Sequence, residues 1–290
     1  MTISAANAVA QQRPLVTEDP ETIGSGLVLV EGGVDYDRDI FFPLSGLHGN
    51  LLKLPTLGVS FGISPIAELQ IDGGLYNRLS VTSRDAAPLT DQLTFSGNTT
   101  HDVEDIVVAT KIRVLAESPG RPAIGLRFAT RLPNSGNESG LGLDTTDFHV
   151  QGLFGKTVQS VRIVGNVGLG ILGDPTRGDN QNDVLDYGVS VARAVRTGVE
   201  VVGELNGRWS TRGGTPPPGT ESRGTMRVGG RITRGTARID AGVLLGMTSR
   251  DPGVGFTVGA TWVFKGFTLA GTRGPAPVSW LARCALSLDL

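Results

Sequence analysis

The sequence predicts an all-β fold, a twelve-stranded antiparallel up-and-down transmembrane β-barrel of the outer-membrane type, and three observations carry that prediction. Apolar residues recur at every second position through almost the whole chain, leaving one greasy and one charged face on each segment. Twelve such segments can be counted, an even number. The links between them alternate long and short, as external loops and periplasmic turns do in a membrane barrel.

The repeating unit is clearest over Ile106–Leu132. Ile106, Val108, Thr110, Ile112 and Val114 share one face of the first arm, with Ala109, Lys111 and Arg113 on the other. The second arm sets Ile124, Leu126, Phe128, Thr130 and Leu132 against Arg127, Ala129 and Arg131. Between the arms, Pro119, Gly120 and Pro122 favour a reversal and do not fit a central ladder. A soluble sandwich alternates in the same way, with its greasy face turned to a core. The choice between the two therefore rests on the whole chain.

Composition narrows the field. Glycine supplies 42 of 290 residues, about twice the usual share, while aromatics make up only 6%. A formal charge of −2 gives no basic footprint for nucleic acid. Cys284, His48, His101 and His149 are scattered without zinc-like spacing, so neither metal nor cofactor is expected. No run of about 18 apolar residues is present to form a membrane helix.

In chain order the strands are expected near residues 27–37, 51–63, 67–82, 103–116, 123–132, 145–157, 160–172, 183–195, 198–210, 222–234, 236–248 and 253–264. Long links rich in Gly, Pro, Asn and Asp follow at 38–50, 83–102, 133–144, 173–182 and 211–221; short ones fall at 64–66, 117–122, 158–159, 196–197 and around Gly235. Greek-key crossings would scatter long links irregularly, so this regularity favours the barrel.

The apolar stripes are then expected to face lipid. Bulky aromatics sit near strand ends, Tyr36, Phe148, Tyr187, Trp209 and Phe256 toward the long loops and Phe154, Trp262 and Phe264 toward the short turns. Those are the places of two interfacial girdles. Lys156, Arg193 and Arg234 fall on the apolar face only at short-turn ends, where long side chains can snorkel. Leu75, Asn77 and Leu79 belong to the same stripe, with Asn77 its awkward member.

The opposite face is crowded with charge of both signs. Lys111, Arg113, Arg127, Arg131, Arg162, Arg227 and Arg231, with Glu68, Asp72, Glu200 and Glu204, are the candidate lumen and selectivity residues. Arg78 is expected on this face too. Charged linings select ions in pores. Plain ion pairing of Arg113, Arg127 and Arg131 with Glu68, Asp72 or Asp105 is an equal alternative.

Three motifs suggest chemistry and are better read blandly. His149 beside Gln151 could centre a barrel-embedded hydrolase, but nothing local ties Ser160 or Ser190 to it as a nucleophile. Gly165-Asn166-Val167-Gly168-Leu169-Gly170 lies mid-strand with no helix following, so a phosphate site fails its context and the glycines read as relief of crowding at bends. The Asp174–Asp183 loop has oxygen ligands but not the spacing of a calcium loop.

Four regions follow: 1–10, 11–26, 27–267 and 268–290. Asn7-Ala8-Val9-Ala10 resembles the small-residue end of a signal peptide, cleaved after Ala10, whose charged and apolar parts are missing: either the leader is truncated or the likeness is chance, and the first is the expectation. Residues 11–26, with Pro14 and Pro20, form an extended lead-in, either periplasmic or a plug. The barrel occupies 27–267. The tail, with Pro275, Pro277, Trp280 and Cys284, reads as a frame-shifted or strain-specific extension, or as a short helix over Val278–Leu288.

Arg13-Pro14-Leu15-Val16-Thr17-Glu18-Asp19, then Gly24-Ser25-Gly26 and the strand Leu27–Tyr36, resemble the opening of a bacterial outer-membrane family, the MetA-pathway of phenol degradation proteins, often called transporters. Leu57-Gly58-Val59-Ser60-Phe61-Gly62-Ile63 leading to Ala67-Glu68-Leu69 is also similar, and the likeness spans residues 13–267. It implies a barrel for uptake of small, often aromatic or hydrophobic molecules. Such barrels end on an aromatic that the barrel-assembly machinery reads, and Phe264 or Phe267 would fit. The expected function is passive passage of small solutes through the cell outer membrane, with the lipid bilayer as partner and no enzymatic step. The rivals are a phospholipase-like barrel hydrolase and a closed structural or adhesive barrel acting through its long loops.

Overall fold

The structure, a computed structural model, describes residues 13–268; the leader remnant and nearly all of the tail lie outside them. Fourteen strand segments form one sheet: β1 (Leu27–Phe42), β2 (Leu47–Gly62), β3 (Ala67–Gly74), β4 (Asn77–Arg84), β5 (Thr99–Asp102), β6 (Ile106–Leu115), β7 (Ala123–Leu132), β8 (Asp147–Val158), β9 (Val161–Gly173), β10 (Gln181–Arg196), β11 (Val199–Ser210), β12 (Arg223–Arg234), β13 (Ala237–Gly246) and β14 (Val254–Lys265). Segments β3 and β4 are one strand broken at Leu75–Tyr76, and β5 and β6 one strand broken at 103–105. The barrel therefore has twelve staves. It closes because β1 pairs antiparallel with both β14 and β2. Closure pairs the staves on both sides, as a strand in lipid requires, while the short β5 pairs on one side with β4.

The links keep the expected asymmetry, with one correction. Long ones run over 85–98, 133–146, 174–180, 211–222 and 247–253, and two-residue turns at 159–160, 197–198 and 235–236. The link expected over 38–50 is instead a tight turn at 43–46, because β1 continues to Phe42 and β2 begins at Leu47. Asp39 in the left-handed region (φ 56°) and a register shift between Asp37 and Ile40 mark a bulge that carries the chain through this stretch.

The greasy faces point outward. Val189, Val167, Val228, Val258 and Ile239 are between 46% and 61% exposed, and the charged faces are turned in. Lys111 and Glu68 are wholly buried. This is the inverse of a soluble sandwich and the arrangement of a transmembrane barrel, whose place is the bacterial outer membrane.

Near the long-loop end the pattern reverses. Asn77 and Leu79, expected on the lipid stripe, are buried inside, and Arg78, expected inside, is exposed. The physical reason is the break at Leu75–Tyr76, two outward-facing residues in succession that shift the alternation by one position. The same inversion lies above the bulge in β1 and above Leu54 in β2. Ile40, Phe42, Leu47, Leu51, Leu79 and Val81 thus pack together inside, with Leu93, Phe95 and Leu141 from the long loops closing over them. This end is built like a soluble protein, apolar in and polar out.

Candidate functional site

The lumen is the site, and its lower half is filled by the chain's own lead-in. Residues 13–26 run inside the barrel, and the charged rungs that the sequence marks out turn toward them. Glu204 on β11 accepts hydrogen bonds from the backbone N–H of Val16 (3.0 Å) and Thr17 (2.9 Å) and from the Thr17 hydroxyl (2.8 Å). Arg227, opposite Glu204 in the ladder, completes its shell at 2.8 Å. Next along the chain, the Glu18 backbone N–H donates to Asn166 on β9 at 2.7 Å.

Glu18 is the centre of the largest cluster. Its carboxylate meets Arg127 at 3.0 Å and Lys111 at 3.3 Å. Lys111 also meets Glu68 at 2.9 Å, and Glu68 accepts the Ile23 backbone N–H at 2.7 Å. Gln70 donates to Glu68 and accepts from Arg127, knitting β3, β6 and β7 together. Asp72 stands at the margin, 3.8 Å from Arg127. Taking these charges out of water is tolerable only because each is paired and hydrogen-bonded.

Two further arginines hold the segment nearer the short turns. Arg162 grips Asp19 with two nitrogens, at 2.8 and 2.6 Å, and reaches Glu117 at 2.5 Å. Arg113 meets Glu21 at 2.5 Å. At the segment's other end Arg13 touches Asp35 (3.3 Å), Thr257 (2.7 Å) and Thr56 (2.9 Å). Missing side chains make this approach possible. A Cβ on Gly33 or Gly259 would collide with the Arg13 guanidinium, and one on Gly155 would stand 2.9 Å from Pro20.

The remaining candidates pair among themselves. Arg131 bridges Asp105 and Asp147, and Arg231 meets Glu200 at 2.7 Å across the β11–β12 ladder. The eight girdle aromatics all face outward, from Phe264 at 37% exposed to Trp209 at 64%. Trp262 and Phe264 meet tilted at 48°, with ring centres 5.2 Å apart, at the short-turn rim. Lys156 behaves differently from the snorkelling expected of it. Its amine is bound by the carbonyls of Ser118 (2.6 Å) and Pro119 (3.1 Å), so it ties down the turn over 116–122.

His149 has an acid partner, Asp186, at 2.6 Å. Neither serine can join them. Ser160 lies beyond the far end of β8, about 30 Å of strand away, and Ser190 is four residues, about 13 Å, down β10 from Asp186.

Above the segment lies open space. A cavity of about 560 Å³ has Val16, Thr17 and Glu18 as its floor and Arg127, His149, Asp186, Arg208 and Arg223 among its walls. A second, of about 370 Å³, adjoins it toward the long loops and shares Asp37, Ile40, Val107, Arg131, Arg208 and Arg223 with it. The sequence reading missed the lead-in's docking partners. Three carboxylates, Glu18, Asp19 and Glu21, in a stretch with two prolines were the available signal, since the inner faces carry arginines that could pair with them.

No protein-family model and no curated protein matches the chain. Among solved structures, the COG4313 outer membrane channel from Pseudomonas putida F1 is similar at a TM-score of 0.61 and 13% identity, covering 85% of this chain and 98% of that one. The translocator domain of the autotransporter NalP from Neisseria meningitidis is similar at 0.49 and 12%, covering 83% and 89%. The toluene transporter TodX of Pseudomonas putida follows at 0.40 and 10%, covering 86% and 92%. At these identities the likeness is one of fold.

Proposed function

We propose that this chain is a passive outer-membrane channel for small molecules, plugged by residues 13–24. The observation that supports it most is the shape of the lumen, a polar cavity of about 560 Å³ on the long-loop side that ends on Val16–Glu18. Solutes enter between the long loops, descend past the charged walls and pass on when the segment shifts. Its grip is electrostatic through Glu18, Asp19 and Glu21, with Leu15 and Ile23 seated in small apolar clusters, and no covalent bond holds it. No nucleotide or redox step is needed. The solved neighbour at a TM-score of 0.61 is itself named a channel, which agrees with this reading.

The resemblance to the MetA-pathway of phenol degradation family supports a finer statement, that the solutes are small organic molecules, aromatic or hydrophobic. Insertion into the membrane would use the barrel-assembly machinery, with Phe264 or Phe267 near the end of β14 as the aromatic it reads. Lumen residues such as Arg127 and Glu204 would act through the plug as much as on the solute.

Planar bilayers test the proposal. The intact chain should give small or infrequent conductance steps. A variant lacking residues 1–24 should give larger, long-lived steps, and Glu18→Ala should fall between them. Absence of steps from all three would overturn the channel reading in favour of a closed barrel.

A further inference from the structure

The β11–β12 ladder carries three charged rungs that face the lumen. In order from the short turns they are Glu200 opposite Arg231, Glu204 opposite Arg227, and Arg208 opposite Arg223. The first two are complementary and close at 2.7 and 2.8 Å. The third sets arginine against arginine. Directly opposed residues have Cβ atoms about 5 Å apart, and like charges there repel.

No carboxylate among the described residues reaches either guanidinium of this rung. Arg208 donates only to backbone carbonyls, those of Glu221 (3.0 Å) and Gly219 (2.6 Å). Nε of Arg223 is buried and has no hydrogen-bond partner at all. The acids nearby are engaged elsewhere. Arg131 takes Asp105 and Asp147, His149 takes Asp186, and Asp251 accepts from the Thr248 hydroxyl at 2.6 Å. Glu221 accepts the Gly219 backbone N–H at 2.8 Å and lies 3.9 Å from Arg250. Asp37 lines both cavities and Asp251 the first, neither within ion-pair distance of Arg208 or Arg223, so this rung is left without a carboxylate in contact.

Both arginines line both cavities. The second cavity has an apolar side, formed by Phe42, Leu44, Leu141 and Leu143, beside charged walls that include Lys53, Glu104 and Asp105. Leu44 and Leu143 come so near Gly219, whose carbonyl holds Arg208, that a Cβ there would stand 3.2 and 2.9 Å from them. Charge and grease thus meet at one point.

We propose that this place is a binding site for an amphipathic monocarboxylate, a small molecule with one carboxylate on an apolar body. The carboxylate sits between Arg208 and Arg223, satisfying Nε of Arg223 and relieving the like-charge rung, in the planar two-pronged manner that guanidinium groups favour. The body lies against Leu44 and Leu143. The inference rests on the channel reading for how the solute arrives, but binding itself needs no conduction.

Calorimetry on the intact chain in detergent, with benzoate as probe, separates the two. Benzoate should bind saturably, phenol and acetate at least tenfold more weakly, and inorganic phosphate no better than acetate. Arg223→Gln should weaken benzoate at least tenfold. Arg208→Glu should abolish binding while raising the thermal midpoint, because it turns the third rung into a complementary pair like the other two. A silent bilayer with benzoate binding intact would sink the channel and leave the site standing. Equal binding of phenol, or of phosphate, overturns the amphipathic carboxylate, and so does benzoate affinity unchanged in a folded Arg223→Gln protein. Should Arg208→Glu fail to fold, Arg223→Gln decides the matter alone.

Discussion

Lys111 shows what a single buried charge does in this lumen. Its amine is wholly buried between Glu68 and Glu18. The two carboxylates hold the charge in place, and it in turn holds them. Lys111→Met removes the cation and leaves both acids in a place without water. The expected loss is about 3–5 kcal/mol of unfolding free energy, the range for breaking a buried pair from one side. Urea titration in vesicles checks it, and a loss under about 1 kcal/mol would mean that water already reaches the cluster. Glu117, in the turn over 116–122, gives a pH dependence. Burial pushes its carboxyl up, but the Thr157 N–H and the Arg162 guanidinium pull it down further, so the net value lies below the usual 4.5. A carboxyl lowered on folding contributes stability that is whole above its unfolded value and is lost as pH falls through the folded one. The protection of the Thr157 amide against exchange, corrected for the intrinsic slowing of exchange in acid, should therefore fall as pH drops below about 4.5, and Glu117→Gln should remove that pH dependence.

At the scale of the strand, the face a residue occupies decides what it can become. Val189, in the middle of β10 and 46% exposed, faces lipid. Val189→Arg is expected to cost about 2–4 kcal/mol, the penalty for a cation at the bilayer midplane, while Val189→Leu costs almost nothing. Reversible unfolding in vesicles of defined thickness measures both. Glycines on the inner face answer a different need. Gly259 leaves room for the Arg13 guanidinium, so Gly259→Leu should dislodge residues 13–17 and raise the mean conductance without lowering the yield of folded barrel. The expectation of eased crowding concerned Gly165, Gly168 and Gly170, whose neighbours are other strand residues; Gly33, Gly155 and Gly259 make space for a second layer of chain, which no reading of one strand at a time can show. The inversion at Leu75–Tyr76 escaped the sequence for a similar reason. Two adjacent outward residues read as noise in an alternating pattern, whereas in the barrel they mark the height at which the alternation reverses.

For the whole molecule, the outward apolar belt predicts recovery with the outer-membrane fraction and release only by detergent. Release by salt or high pH alone would contradict the fold. Strand number, strand order and the direction of the greasy face were legible because a transmembrane barrel is local: each stave pairs with its sequence neighbour, and lipid demands the same alternation from all of them. That is why Val167, Val228 and Phe128 could be placed outside, and Lys111 and Glu204 inside, from residue order alone. Partnership across the lumen was not legible. Glu18 is separated from Lys111 by 93 residues and from Asn166 by 148, and no periodicity links them. The sequence by itself determined a closed ribbon with oil outside and charge within, since period-two patterning and turn chemistry act over a few residues. Only the tertiary structure decided what those charges hold, because it is closure that brings Glu204, Glu68 and Arg162, distant in the sequence, around the one axis along which the lead-in lies.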